Sequence, residues 1–529
     1  MYVRIPTTRF QVHFSTCFDY WIAASLVALA IWLLASGLDD LFIDLVYFLT
    51  RPNRLRWPSR TELAEAPQRR IAILVPLWHE HEVIGQMLRH NLAAIRYGNY
   101  DFFVGVYPND PLTREAVQQV MRDDGRVHLA ICPHDGPTSK GDCLNWTYKG
   151  MVEYEVRRGI DFEILVTHDA EDLIHSGSLH VINWFMRDHQ MVQIPVVALR
   201  TKIRDWTHGL YCDEFAEYQF KDIPVRQKLG GFLPSNGVGT GFDRSALETL
   251  RRQHRGLIFD PQCLTEDYEN GFRIHAAGYR QVFVPIQFLA GEPVATREYF
   301  PGRWRAATRQ RSRWVAGIAL QGWQRHGWRG SFGRVYWFWR DRKGLVGNLF
   351  SPAANALFVG WSAAMIPIRT ASWWHAVPHV PAWLPPLFYI TAAISVLQIG
   401  LRLHFSARLY GLRFAAAVPI RILWGNWINC AATLQALGQF FAAQRSRHTV
   451  AWQKTTHVYP RNLTDIPKRP RLGEVLIRLH FISALDLEEA LRRKPQDKRM
   501  GEYLVQSRKI TADNLSQALT SQSELPLGR

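Results

Sequence analysis

Two short segments carry residues suited to joint chemistry. Thr265-Glu266-Asp267 is an acidic triplet, and about forty-five residues later comes Gln310-Arg311-Ser312-Arg313-Trp314. A carboxylate such as Asp267 can take the proton from an attacking hydroxyl. Arg313 can neutralise a diphosphate leaving group, and Trp314 offers a flat face to a sugar ring. Each segment also has a plainer reading. A Thr followed by acids is an ordinary helix cap. A basic aromatic run, Arg303 to Trp314, suits lipid headgroups.

Asp169-Ala170-Glu171-Asp172 follows the apolar run Phe162–Thr167. Carboxylates at the carboxyl end of a parallel strand lie where α/β sheets bind ligands. Hard oxygen ligands there suit Mg²⁺ or Mn²⁺ on a diphosphate, or else form the acidic first turn of a helix. Pro76-Leu-Trp-His-Glu80 ends another strand-like run, Asp110 closes Tyr107-Pro-Asn-Asp110, and Lys140-Gly-x-x-Leu-Asn145 enters a helix. Each is a weak signal alone. The His79-Glu80-His81-Glu82 cluster lacks the His-Glu-x-x-His spacing of a zinc protease.

The elements that must hold these groups follow from hydrophobic pattern. Ile71–Val75, Phe102–Val106, Val127–Ile131, Phe162–Thr167 and Val192–Leu199 read as strands. Helix-like runs alternate with them, which predicts an α/β sheet from about residue 70 to 340. Residues 21–38 form an apolar span that Asp39-Asp40 should interrupt, leaving a short interfacial piece over 41–49. Two more spans are expected at about 345–368 and 384–403. Lys/Arg asymmetry puts loop 369–383 outside and the Arg402–Arg413 loop in the cytoplasm. Residues 414–441 carry Arg421, Asn426, Asn429 and Gln435, which are costly in lipid, so an interfacial helix and a true span both stand. The domains expected are 1–56 (N-terminal membrane region), 57–340 (α/β domain), 341–445 (membrane and interfacial helices), 446–470 (basic linker) and 471–529 (helical tail).

The 529 residues include 63 Lys and Arg against 46 Asp and Glu, a formal charge of +17. Such a surface suits anionic partners. No nucleic-acid module is recognisable, so a lipid bilayer and nucleotide phosphates are the partners expected rather than nucleic acid. The six cysteines form no Cys-x-x-Cys pair and read as reduced thiols facing a cytosol. The N-terminus lacks a secretory cleavage site.

Taken in order, Pro76…Glu80, Asp110, Lys140…Asn145, Asp169-x-Glu171, Thr265-Glu266-Asp267 and Gln310-x-x-Arg313-Trp314 resemble the processive, membrane-bound family-2 glycosyltransferases related to cellulose and hyaluronan synthases. The resemblance implies a GT-A (Rossmann-like) fold and a UDP-sugar donor. It also implies a divalent cation and inversion at the sugar C1 during transfer to a growing glycan acceptor. It implies that Asp110 contacts uridine, Asp169 and Glu171 hold the metal, and Asp267 is the base. Gln310, Arg313 and Trp314 would bind the diphosphate and the acceptor end. His79 stands where relatives often have Asn, and Glu171 where they have a second Asp. Export of the glycan through the membrane helices, with an outer-membrane partner, would follow. A non-catalytic membrane scaffold or receptor component is the competing class, and a dolichyl-phosphate-type transferase fits less well.

Tyr107-Pro-Asn-Asp110 and Trp452-x-Lys454-Thr455-x-His457 resemble a narrower branch, the bacteriophage adsorption protein B family. The tail repeats itself with an offset of 28 residues: Arg471-Leu472-Gly473 recurs as Arg499-Met500-Gly501. It resembles the MshEN-like N-terminal domain of type II secretion ATPases, which implies cyclic di-GMP at Arg471, Leu472, Gly473, Arg499, Gly501 and Gln522. His480 and Arg508 replace the mid-motif glycines, and Lys494 replaces the first Gln. Glycine permits turn dihedrals that larger residues resist.

Overall fold

The computed structural model describes residues 8–53, 55–289, 291–364, 383–446, 458–460, 471–495 and 498–524. The loop expected outside the membrane, most of the basic linker and the Trp452–His457 segment lie outside these residues.

The strands are β1 (Ile71–Pro76), β2 (Tyr100–Val106), β3 (Val127–Ile131), β4 (Ile164–Thr167), β5 (Leu173–Ile174), β6 (Met191–Gln193), β7 (Val196–Ala198), β8 (Thr240–Asp243), β9 (Gln281–Phe283), β10 (Phe288–Leu289), β11 (Glu292–Pro293) and β12 (Thr296–Glu298). A seven-stranded sheet runs β3-β2-β1-β4-β8-β6-β9. The first four are parallel, and β8 is antiparallel to both of its neighbours. The strands β1, β2 and β4 are buried along their whole length, as unbroken apolar runs require when helices cover both faces. The expected strand Val192–Leu199 is two strands in different sheets. Pro195 lacks an N–H for a ladder, so β6 stays in the main sheet while β7 joins β5 and β12.

Asp39-Asp40 do not interrupt the first helix, which is continuous over Thr8–Thr50. Arg340 and Lys343 reach Asp39 at 2.6 and 2.7 Å, Lys343 reaches Asp40 at 2.7 Å, and Lys221 reaches Asp44 at 2.7 Å. The carboxylates therefore stay helical because cations from the α/β domain meet them. Among the described residues, two helices are long and apolar enough to cross a membrane, Ala24–Thr50 and Pro386–Tyr410. The third expected span is helical over Gly344–Ala364, with Pro352 inside it.

Helix Val418–Ser446 resolves the puzzle of its polar residues. Arg421 is fully buried and paired with Asp213 at 2.5 Å. Asn426 donates to Asn355 at 2.7 Å, and Arg311 donates to Asn429 at 2.7 Å. The polar face is thus bonded to the α/β domain and to helix 344–364.

In the tail, short helices 472–478 and 500–506 alternate with longer ones, 484–493 and 512–524, and 472–478 packs against 512–524. A Cβ on Gly473 would stand 2.6 Å from Leu487, and one on Gly501 would stand 2.6 Å from Leu515. Both glycines are therefore set by helix packing. His480 and Arg508 hold φ of +58° and +54°. The turn keeps the backbone of the missing glycines, at about 1–2 kcal/mol per residue for an L side chain.

Two outcomes test this architecture. Arg421→Ala leaves a buried carboxylate unpaired and should cost about 3–5 kcal/mol, read as a lowered melting temperature in detergent. His480→Gly should stabilise the tail by about 1 kcal/mol, read as slower amide exchange in helices 472–478 and 500–506.

Candidate active site

The loop after β4 is braced from within. His168 Nδ1 and Asp172 Oδ2 are 2.7 Å apart, and the Asp169 N–H donates to the same oxygen at 3.0 Å. Asp169 is thereby aimed across the end of the sheet. Lys140 meets it from the first turn of helix Lys140–Arg158, which Ser139 caps. The Lys140 Nζ lies 2.6 Å from Asp169 Oδ1 and 2.8 Å from Oδ2. Burial opposes the charge on Lys140, but Asp169, Glu266 and Asp267 outweigh it and hold the ammonium well above its ordinary pKa.

Thr265 occupies the N-cap position of helix Glu266–Ala276 but makes no side-chain capping bond. The triplet opens the helix with its acids in the first turn, as the helix-cap reading expects, but Thr265 adds no side-chain cap. Its Oγ1 is buried, with no hydrogen-bond partner among the described residues. A Cβ on Gly317 would come within 2.5 Å of that oxygen. The Leu264 N–H donates to Gln321 Oε1 at 3.0 Å. Gly317 and Gln321 lie in the π-helical turn Val315–Gln321, directly after Trp314. The two sequence-distant motifs are locked together by these contacts.

Asp267 is half-buried, beside the buried Glu266. Its Oδ1 accepts from the Tyr268 N–H at 2.7 Å. Opposite its Oδ2, a Cβ on Gly237 would stand 2.6 Å away, and Gly237 has φ of +77°. Only glycine satisfies both that dihedral and that approach. Burial pushes the Asp267 carboxyl up, against a lowering by Lys140. Burial first, and then the Asp267 charge, push Glu266 up to about 7.

A cavity of about 430 Å³ joins Pro76, Glu80, Lys140, Asp169, Glu171, Asp267, Gln310, Arg313 and Trp314. A second space of about 490 Å³ shares Lys140, Thr265, Asp267, Arg313 and Trp314 with it and adds Glu266. Among the described residues the buried Gln310 Oε1 has no hydrogen-bond partner. Trp314 packs edge-on to Tyr211, with ring centres 6.1 Å apart. Arg311 is spent differently: its guanidinium is bound to Glu214 at 2.6 Å and lies over the Tyr211 ring at 4.4 Å. It anchors the helix that presents its neighbours.

Two expected contacts fall outside both spaces. The Asn145 amide donates to the Phe259 carbonyl at 2.7 Å and accepts from the Ile258 and Phe259 N–H groups at 3.1 Å. Its polar atoms hold the loop at residues 258–259. Asp110 is buried, accepts from the His79 N–H at 2.6 Å and caps helix Pro111–Asp123. It fixes the Trp78-His79 turn rather than lining the cavity.

Glu298, at the end of β12, was not singled out by sequence. It lines the cavity, and burial followed by repulsion from Asp172, Glu171 and Asp169 pushes its carboxyl well up. No local motif marks it, because a sheet partner far along the chain brings it there. Among the described residues no group of three or more His, Cys, Asp or Glu forms a ready metal cage. Asp169 and Glu171 both line the cavity, and carboxylate oxygens are the ligand type that Mg²⁺ or Mn²⁺ takes. Mg²⁺ typically takes one or two carboxylates and completes its shell with water and substrate phosphate. The strain that these carboxylates put on Glu298 is the charge excess a cation would relieve.

Comparison with known proteins accords with this site. Residues 67–317 match the family described as glycosyltransferase like family 2. The chain is 36% identical over 506 residues to bacteriophage adsorption protein B of Escherichia coli strain K12, covering 90% of this chain and 67% of the relative. The chain belongs to this family. Bacteriophage N4 adsorption protein B of Escherichia coli O157:H7 matches equally, at 36% over 506 residues. The α/β domain is thus a GT-A-like glycosyltransferase domain, and the chain is a glycosyltransferase. Among solved structures, a Pyrobaculum calidifontis mannosyltransferase in complex with GDP-Man and Mn²⁺ is 18% identical, with 76% of this chain and 99% of that one covered at a TM-score of 0.46. Residues 1–349 of S. aureus TarS are 12% identical, with 74% and 98% covered at a TM-score of 0.28. At that distance neither bears on donor or metal.

A carboxylate that works as a base must be ionised, and Asp267 and Glu266 are both raised. Activity should therefore fall as pH drops, with its acid limb above the ordinary carboxylate value of about 4, because the Asp267 carboxyl is raised. A pH profile of kcat/KM reads this. Asn145→Ala should cost about 1–2 kcal/mol of stability and leave the donor KM within about twofold.

Proposed function

We propose that this protein is an inverting glycosyltransferase of the bacterial inner membrane, with its catalytic and C-terminal domains in the cytoplasm. It moves a sugar from a nucleoside-diphosphate sugar, UDP-linked, to the end of a growing polysaccharide. The observation that carries this reading is the shared cavity. Asp267 faces Lys140 and Asp169 across a space whose remaining wall includes Gln310, Arg313 and Trp314.

Asp267 takes the proton from an acceptor hydroxyl, and that oxygen forms a bond to the sugar C1. The bond from C1 to the diphosphate oxygen breaks, and the nucleoside diphosphate leaves with the electron pair. A divalent ion held by Asp169 and Glu171 supplies charge neutralisation at the diphosphate when bound. Lys140 and Arg313, which both line the space, hold the same phosphates. Gln310 supplies an unsatisfied acceptor, and Trp314 a ring edge, for the acceptor end. The apolar helices 24–50 and 386–410 suit a membrane address and export of the product beside them, toward an outer-membrane partner.

The tail is proposed as a cyclic di-GMP-responsive unit. Arg471, Arg499 and Gln522 carry the polar contacts. Gly473, Gly501 and Leu472 set the spacing between helices, and the positive φ at His480 and Arg508 preserves the turn.

The test is nucleotide release by purified protein over a panel of UDP- and GDP-sugars, with and without Mn²⁺ and cyclic di-GMP. Release from one UDP-sugar that needs the metal and rises with cyclic di-GMP is expected. Release from no donor would overturn the reading.

A further inference from the structure

The cavity wall at β12 has a second side. Glu298 lines the cavity, and side chains alternate along a strand, so Arg297 points to the opposite face. It is buried there and pairs with Glu292 at 3.0 Å. In the antiparallel ladder with β5, Arg297 stands opposite Leu173. Leu173 directly follows Asp172, whose Oδ2 accepts from the Asp169 N–H and lies beside His168. The back of this small sheet is therefore also the back of the loop that aims Asp169.

One side chain closes that back from far along the chain. Tyr459 lies between helix Val418–Ser446 and the tail helix Leu472–Arg478, outside the α/β domain in sequence. It is only 5% exposed, and Pro460 beside it is buried. Its ring belongs to the same buried apolar cluster as Ile73, Val75, Leu173 and Ile174. It meets His90 of helix Ile84–Ala94 edge-on, with ring centres 6.4 Å apart. Asp172 and Arg297 both lie near enough to act on its hydroxyl. Burial pushes the phenol up, Asp172 adds to that, and Arg297 opposes it. Among the described residues the Tyr459 hydroxyl and Asp172 Oδ1 have no hydrogen-bond partner. The ring, rather than a hydrogen bond, makes the contact. Truncating a buried aromatic leaves a space that its surroundings only partly fill. Asp172 would border that space, with its side chain held through Oδ2 alone.

Given the reading of Asp169 as a donor-site carboxylate, we propose that Tyr459 is a positioning residue for the donor. It is a wedge, supplied by the segment between helix 418–446 and the tail, that holds Asp172, and through it Asp169, in the geometry that binds the diphosphate. Tyr459 stands outside the cavity lining. It sets how tightly the donor and its metal bind, not how fast the proton moves at Asp267.

The experiment compares Tyr459→Ala, Tyr459→Phe and Leu250→Ala in the full chain in lipid nanodiscs. Leu250 is a control. It is buried with Ala72 and Leu74, in the cluster on the other face of the main sheet, and its truncation is a core loss of the same kind. Binding of UDP with Mn²⁺, read by calorimetry, should weaken on the order of tenfold in Tyr459→Ala and less than about twofold in the other two. Amide exchange over residues 168–174 should quicken in Tyr459→Ala alone. With the donor that gives nucleotide release, Tyr459→Ala should raise the donor KM and leave kcat at saturation within about threefold. Unchanged binding and exchange in Tyr459→Ala overturns the inference. So does equal weakening in Leu250→Ala, a Phe variant as weak as the Ala variant, or a loss confined to kcat. If the unmodified protein binds no UDP with Mn²⁺, the donor reading is what fails, and exchange still decides. Faster exchange over 168–174 in Tyr459→Ala alone supports the wedge, and no difference from Leu250→Ala refutes it.

Discussion

The structure depends on negative charge gathered at the end of one sheet. Asp169, Glu171, Glu266, Asp267 and Glu298 converge on Lys140, which Asp169 holds at 2.6 Å. Lys140 and Arg313 together do not offset the burial of so many acids. Burial first, and then neighbouring carboxylates, raise Glu266, Asp267 and Glu298. A site in that condition is ready for cations and for a proton. Those are the two things that transfer from a diphosphate donor to a hydroxyl requires.

Holding the acids in place engages most of the chain. Gly237 leaves room for the Asp267 oxygen, and Gly317 leaves room for Thr265. Tyr268 and Arg226 both bind Asp341, which ties the catalytic helix to helix Phe332–Arg342. Next along that helix, Arg340 binds Asp39 of the first apolar helix. The pairs Arg421–Asp213 and Arg402–Glu217 do the same for the later helices. Breaking a buried pair is costly, so such contacts fix orientation even where their net stabilisation is small. The catalytic domain and the apolar helices are thereby built against each other, and the inner wall of the cavity is made at their junction.

The sequence made the sheet legible because β1, β2 and β4 are continuous apolar runs, and the site legible because its acids and the Gln-x-x-Arg-Trp box are local words. What stayed hidden depends on distant partners. Asp39 and Arg421 look incompatible with apolar helices until Arg340 and Asp213 meet them. Asn145 sits in a helix entry suited to phosphate, yet its amide is used on residues 258–259. Glu298 has no motif around it. The glycine-like turns at His480 and Arg508 also escape a reading that equates losing glycine with losing the turn.

The central claim is that Asp267 acts on the proton and not on the donor. The most direct measurement is donor binding and single-turnover transfer side by side for Asp267→Asn. The account predicts a donor Kd within a few-fold of the unmodified protein and a transfer rate lower by about 10²–10⁴. A variant that transfers at a comparable rate, or one that loses donor binding and transfer in equal measure, would contradict it.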